Sequence, residues 1–297
     1  MYDVVIVGGS SAGLSAALAL GRARRRVVVL DSGKPCNRFS HASHGFLTRD
    51  GVAPSELVQI ARDQLKPYET VEVRDEMVTQ ITREGSGFRV ETEAGDTLTS
   101  RRVLLATGLK DELPSIPGLE PLWGKSVFHC PYCDGWEVRD QPLVVHGGGE
   151  MGFHRVKMLR QWTDQLTWCT DGEAIAEDRR DLLTRHGIDV IETRLVAVEA
   201  TGEQIERIVF EDGSTLPLKA MFVAPKNTHP MPFAEQLGCK VNERGIIEID
   251  LLGKTSVPGV YAAGDLSTPF RSVAVAVSQG YCAGAGINAD LTEEDFV

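Results

Sequence analysis

The chain has 297 residues, 42% of them hydrophobic, and its 31 Lys and Arg against 42 Asp and Glu leave a formal net charge of −11 at pH 7. That length suits two α/β domains, and the acidity argues against non-specific binding to nucleic acid or to an anionic membrane surface. No apolar run approaches the roughly 20 residues of a membrane span, and the opening residues lack the basic flank and cleavage site of a signal peptide.

Tyr2 to Val7 is β-branched and barely alternates, as a strand buried on both faces should be. Leu14 to Leu20 then repeats apolar residues with helical spacing, and Arg26 to Leu30 reads as a second strand. A looser loop rich in His, Ser and Gly runs from Ser32 to Gly51, and mixed segments lead to the buried strand Arg102 to Gly108. Pro114, Pro117, Gly118 and Pro121 then mark a domain crossover. Beyond it the opening pattern recurs: Pro142 to His146 as a strand, Phe153 to Trp162 as a helix, Gln165 to Cys169 as a strand. Near the end, Val260 to Asp265 reads as another buried strand with a Gly-Asp turn, and the small residues from Ala274 to Ala289 as a closely packed helix. Two dinucleotide-type βαβ units are therefore expected.

Each unit opens with a glycine turn. Gly8 and Gly13 fill the first and third positions of a GxGxxG pattern, with Ser10 in the middle one. Such a turn brings backbone close to a pyrophosphate and points a helix N-terminus at it. Asp31 ends the second strand, 18 residues beyond Gly13, where an acid accepts hydrogen bonds from an adenosine ribose. In the second unit Gly147, Gly149 and Gly152 complete the formal pattern, and Asp171 lies 19 residues beyond Gly152. An acid there suits the ribose hydroxyls of NADH and repels the 2′-phosphate of NADPH, and Thr170 to Glu173 holds no Arg or Lys to grip that phosphate.

Between the units stands Cys130-Pro131-Tyr132-Cys133-Asp134-Gly135. A CxxC is read as a redox dithiol, as half of a zinc site or as a structural disulfide. No second CxxC, CxxH or HxxxH completes a zinc site, and so short a loop adds little stability when closed. The redox dithiol is the favoured reading, with one thiol facing a flavin and the other an external substrate. Asp134 is then the acid/base for the thiol protons. Cys36, Cys169, Cys239 and Cys282 are scattered, as inert thiols of a reducing cytoplasm would be.

Together, Val7 to Ala17, Ala106-Thr107-Gly108, Cys130 to Glu137 and Gly264-Asp265 resemble the low-molecular-weight thioredoxin reductase family over nearly the whole chain. The resemblance implies an α/β fold of two Rossmann-like, three-layer ββα-type domains, the second inserted in the first. Residues 1–114 and 246–297 would form the FAD-binding domain, and 115–245 the pyridine-nucleotide-type domain carrying the CxxC. It further implies Cys133 as the flavin-proximal thiol, Cys130 as the exchanging one and Asp134 as the proton donor. FAD contacts would come from Gly8, Gly9, Ser10, Ser11, Ala12, Gly13, Asp31 and Ser32, and from Ala106, Thr107 and Gly108. Gly264 and Asp265 would hold the ribityl and phosphate side, the helix start at Ser272 and Val273 would face the flavin, Val78 would lie near the adenine, and Arg38 and His44 would border the flavin. A homodimer is expected from the same likeness.

The chain also departs from the family. Members using NADPH carry a His-Arg-Arg-type cluster where this chain has Cys169-Thr170-Asp171-Gly172, and Glu150-Met151 replaces Asp-Ser beside the glycines. NADPH or NADH use is therefore left open, and NADPH is expected to reduce the flavin poorly. The activity expected is FAD-dependent exchange of electrons with Cys130 and Cys133, then with a thioredoxin-like protein or a small dithiol. Ferredoxin or another donor stands as an alternative electron source. An oxygen-dependent dithiol oxidase is the alternative enzyme, and a redox-sensing flavoprotein without turnover the alternative of another class.

Overall fold

The computed structural model describes all of residues 1–297. Its α-helices, in chain order, are α1 (Ser11–Arg22), α2 (Pro54–Leu65), α3 (Pro131–Asp134), α4 (Gly149–Leu159), α5 (Glu177–Arg185), α6 (Phe233–Gln236) and α7 (Val273–Asp295). None is long and apolar enough to cross a membrane. The chain divides into two compact units. One comprises residues 1–38, 45–110 and 227–297, the other residues 39–44 and 111–226. The chain thus returns to the first unit at Asn227, earlier than the 245/246 boundary expected from the sequence, and the short segment Phe39–His44 packs with the second unit.

The first unit is built on a seven-stranded sheet. Val71–Arg74, Val27–Leu30, Tyr2–Val7 and Thr97–Leu105 lie side by side and parallel. Val260–Ala262 pairs in parallel with the C-terminal half of Thr97–Leu105, while its N-terminal half takes the antiparallel hairpin Val78–Glu84 and Gly87–Thr92. Strand geometry sends successive side chains to opposite faces. Val4 and Ile6 accordingly join α1 and α7 in one core, and Val5 and Val7 join the hairpin and Phe233 in another. All four are 0–4% exposed, and burying each stabilises the fold by roughly 1.5–3 kcal/mol.

Close packing of α1 on α7 depends on small residues. A Cβ on Gly280 would overlap the Ala12 carbonyl oxygen, and one on Gly284 would lie 2.9 Å from the Ala16 carbonyl oxygen. Gly280→Ala is therefore expected to destabilise the protein by about 1–3 kcal/mol, although alanine in a helix interior is intrinsically better than glycine by about 1 kcal/mol. Denaturant titration measures this, and a raised midpoint would show that the helices are free to separate. Helix α7 outruns the predicted Ala274 to Ala289 because its polar end is tied down. Asn288 accepts from Arg25 at 2.8 Å, Asp290 from Lys254 at 2.7 Å and Asp295 from Arg101 at 2.6 Å.

The second unit carries a five-stranded parallel sheet in the order Ile188–Ile191, Leu166–Cys169, Leu143–His146, Ala220–Phe222 and Val127–Phe128. Leu143 and Val145 face α4 and Trp168, while Val144 and Met221 face the antiparallel meander Leu195–Thr201, Gln204–Phe210 and Thr215–Pro217. Sheet, helices on one face and meander on the other make three layers in this unit, as in the first.

Candidate active site

In open parallel sheets, ligand sites gather beyond the carboxyl ends of the strands. Tyr2–Val7, Thr97–Leu105 and Val260–Ala262 deliver three of the expected segments to one edge of the first unit: Gly8 to Gly13, Ala106 to Gly108, and Gly264-Asp265. Gly8 takes φ 109°, which L side chains rarely adopt, and a Cβ there would overlap the Ala106 carbonyl oxygen. A Cβ on Gly13 would overlap the Gly8 carbonyl oxygen, so α1 starts hard against the turn. Ser10, at the N-cap of α1, makes no side-chain hydrogen bond to the first turn, leaving those amides for an anion.

Asp31 follows the second strand with its Cβ 2.7 Å from where a Gly9 Cβ would be, so only glycine fits between acid and turn. Its Oδ2 accepts from Arg62 of α2 at 2.9 Å, and the same guanidinium nitrogen also reaches Asp75 at 2.8 Å. Arg62, whose position 31 residues away carries no motif, was not foreseen from the sequence. Gly264 takes φ 90° and its N–H donates to Gln279 Oε1 at 2.9 Å. Asp265 accepts from Arg271 Nε at 3.2 Å and lies 3.7 Å from the Cys36 sulfur, which ties the loop containing Ser32 and Arg38 to this edge. Arg38 donates to the Pro35 carbonyl at 2.9 Å. The Ser272 hydroxyl caps α7 by accepting from Val275 N–H at 3.2 Å, with Val273 as the first helical residue. Val78 is 3% exposed within the core, so only its backbone can meet a ligand. A glycine cradle that any Cβ would fill, an uncapped helix start and a nearby acid fit a dinucleotide such as FAD.

The dithiol lies in the second unit. Cys130, in extended conformation with φ −113°, caps α3, and Pro131 supplies the first helical residue. Cys133 and Asp134 donate their N–H groups to the Cys130 carbonyl at 3.1 and 3.3 Å. This single turn brings the sulfurs together as a disulfide with Cα atoms 5.3 Å apart. Gly135 closes the turn where a Cβ would lie 3.1 Å from the Trp162 ring. Tyr132 and Trp136 flank the disulfide and are 74% and 64% exposed. Burial, and secondarily the Glu137 carboxylate, push the Asp134 carboxyl up from 3.8 to about 7, with His44 opposing the rise. His44 sits 3.5 Å from Glu137. It belongs to the dithiol's unit, whereas the other residues expected around the flavin belong to the first unit. Burial also pushes the Cys169 thiol up to about 12, which keeps it inert. No group of three or more His, Cys, Asp or Glu side chains is arranged to hold a metal.

The second glycine turn differs. Gly147 takes φ 107°, close to the 109° of Gly8, but Gly149 is left-handed at 67° where Ser10 is extended at −102°. Gly149 N–H donates to Glu173 Oε1 at 3.0 Å, and a Cβ on Gly148 would overlap the Glu173 carboxylate. Asp171, expected to meet a ribose, accepts from Leu195 N–H at 3.1 Å through Oδ1, and its Oδ2 lies 3.6 Å from His146. The Glu173 carboxylate thus rests against the second turn at the Gly149 amide.

Residues 2–280 match the pyridine nucleotide-disulphide oxidoreductase family, whose members are expected to use FAD and a nicotinamide cofactor. Thioredoxin reductase sirT of Leptosphaeria maculans is 30% identical over 314 residues, spanning 100% of this chain and 96% of that protein. The crystal structure of the putative thioredoxin reductase TrxB from Bacillus anthracis has a TM-score of 0.95 at 35% identity, covering 99% of this chain and 100% of the other. An oxidoreductase from Agrobacterium tumefaciens reaches a TM-score of 0.93 at 38% identity, with 98% of each chain covered. Similarity of this extent shows that the chain belongs to the pyridine nucleotide-disulphide oxidoreductase family and is a flavin-dependent disulfide oxidoreductase of thioredoxin reductase-like type.

Proposed function

We propose that the protein exchanges electrons between FAD and the Cys130–Cys133 pair, and between that pair and a thiol or disulfide substrate. The observation that carries this reading is the disulfide closed by one turn of helix beside a carboxyl held near pKa 7. Bound FAD supplies a two-electron store. The first unit's residues would hold it: the amides from Gly8 to Gly13 would receive the pyrophosphate, Asp31, steadied by Arg62, the adenosine ribose, and Asp265, steadied by Arg271, the ribityl side. The backbone of Val78 would meet the adenine. Ala106 to Gly108 and the amides at the start of α7 would face the flavin, Arg38 would border it, and Ser32 would contact FAD beside Asp31.

With a dithiol substrate, one substrate thiolate attacks the Cys130 sulfur and Cys133 leaves as thiolate. The second substrate thiolate then attacks the substrate sulfur of the mixed disulfide, releasing oxidised substrate and Cys130. Asp134 takes up a proton in this direction and gives one back when the flow reverses. A carboxyl near 7 can do both at neutral pH. Turnover with a dithiol is therefore expected to rise with pH through an inflection near 7, because the carboxylate form is the acceptor. Glu137→Gln removes a like charge and should move the inflection down, whereas His44→Asn should move it up. A pH profile that ignores both substitutions would exclude Asp134 as the titrating group.

Substrates of two kinds suit a half-buried dithiol flanked by exposed aromatic rings, a thioredoxin-like protein or a small dithiol molecule, and a homodimer is the assembly proposed. Covering of the second glycine turn by Glu173 favours a second reading, in which the physiological flow runs from a small dithiol through the flavin to oxygen. Reductases fed by ferredoxin would also need no nicotinamide. Anaerobic titration with a model dithiol tests the main reading: the flavin absorbance should bleach in the native protein and persist when both cysteines are serine. Oxygen uptake with the dithiol and no nicotinamide would select the oxidase, and bleaching that does not need the cysteines would overturn both.

A further inference from the structure

We infer that Glu173 is the residue that keeps a dinucleotide pyrophosphate off the second glycine turn, and with it NADH and NADPH. The two turns of this chain serve as mutual controls. Both begin with a left-handed glycine, and in both a Cβ on the last glycine would overlap the carbonyl of the first, Gly13 on Gly8 and Gly152 on Gly147. Each turn has a carboxylate against its second residue, Asp31 over Gly9 and Glu173 over Gly148, but Asp31 is held by Arg62 whereas Glu173 takes an amide of the turn itself. Its Oε1 accepts from Gly149 N–H at 3.0 Å, at the start of an 11-residue helix, and its other oxygen lies over Gly148 where a Cβ would be. Those are the amide and the bare backbone surface that a pyrophosphate uses.

The loop that presents Glu173 is fixed at several points. The Thr170 hydroxyl donates to the Glu173 carbonyl, Gly172 N–H donates to the Glu192 carbonyl at 2.7 Å, and Ile175 N–H donates to Glu192 Oε1 at 3.0 Å. Asp171 accepts from Leu195 N–H. The left-handed φ of 58° at Asp171 and of 90° at Gly172 folds the loop back toward the turn. Arg179 and Arg180 are engaged by Glu150 and Glu192, while the Arg194 guanidinium lies 3.9 Å from where a Gly172 Cβ would be. A carboxylate at a helix N-terminus is in a favourable field, so an incoming diphosphate must both displace it and approach its charge.

This inference extends the proposed function to the choice of electron donor, but its test is a binding measurement that does not depend on dithiol turnover. Calorimetric titration of the flavin-loaded protein with ADP-ribose, which contains the diphosphate without the nicotinamide, compares the native chain with Glu173→Gln and Glu173→Ala. Both variants are expected to bind at least about tenfold more tightly than the native protein, a difference of about 1.4 kcal/mol. AMP, which lacks the diphosphate, should show no such gain. Glu177→Gln, which removes one charge at the start of α5, should change ADP-ribose affinity less than about twofold, as expected of an exposed charge. Far-UV circular dichroism and flavin content establish that the variants are folded. Native affinity equal to that of the variants would overturn the inference, and so would folded variants that bind no more ADP-ribose than the native chain.

Discussion

Cys130→Ser and Cys133→Ser should each lower thiol/disulfide turnover by on the order of 10³-fold or more, the scale on which removing a reacting nucleophile acts. Neither should change flavin content. The cysteines sit in the second unit, and every residue proposed to hold FAD by its backbone or carboxylates lies in the first. The two variants should also differ from each other. With Cys130 as the exchanging thiol, Cys133→Ser leaves a nucleophile that can attack a substrate disulfide but no partner to resolve the product. A stable mixed disulfide should then accumulate on Cys130 and be visible as added mass in the intact protein. Cys130→Ser should trap little substrate. Trapping by the Cys130→Ser variant and none by Cys133→Ser would reverse the two roles. Turnover within tenfold of native in either variant would remove the dithiol from the reaction altogether.

Legibility in the sequence followed the range of the interactions involved. Glycine turns are local, since the conformation of Gly8 and Gly147 and the tight approach of Gly13 and Gly152 are decided within six residues, and both were readable. The CxxC is likewise local, because one helical turn from Cys130 to Asp134 sets the sulfur spacing. What escaped was assembled from distant segments. Arg62 meets Asp31 only because α2 packs beside the first strands, and His44 meets Glu137 only because the Phe39–His44 segment packs with the second unit. Glu173 lay in a stretch noted for what it lacked, and its reach to Gly149 depends on the left-handed Asp171-Gly172 turn, whose Asp-Gly signature does not say which side chain it will aim at the glycines. Asp171 was legible by its spacing, whereas the long-range bond from Leu195 N–H to its Oδ1 was not. The meander from Leu195 to Pro217 was not read at all, since its strands carry charged residues such as Glu199 and Arg207 on their exposed faces.

Gly13→Ala should remove flavin from the purified protein without touching any group that could contact the isoalloxazine chemistry. The added methyl would overlap the Gly8 carbonyl oxygen and come within 3.2 Å of Ile6 Cγ2. Neither neighbour can yield. Gly8 is itself fixed by the Ala106 carbonyl behind it, and Ile6 is fully buried between α1 and α7. Relief requires α1 to slide away from the strand, which lifts its N-terminal amides off the position that a pyrophosphate would take. Overpacking of this kind costs about 1–3 kcal/mol in stability, and the displaced amides should lower FAD affinity by a further tenfold or more, since each 1.4 kcal/mol of lost contact is a factor of ten. The ratio of flavin to protein absorbance after purification, followed by titration of the apoprotein with FAD, measures both effects. Gly85→Asn is the matched control. Gly85 is left-handed at φ 59° with open space around it, and asparagine tolerates that conformation, so flavin content should remain native. Full flavin occupancy in Gly13→Ala would mean that the first turn is not where the cofactor's phosphates are held. Loss in both variants would point instead to general fragility of the first unit.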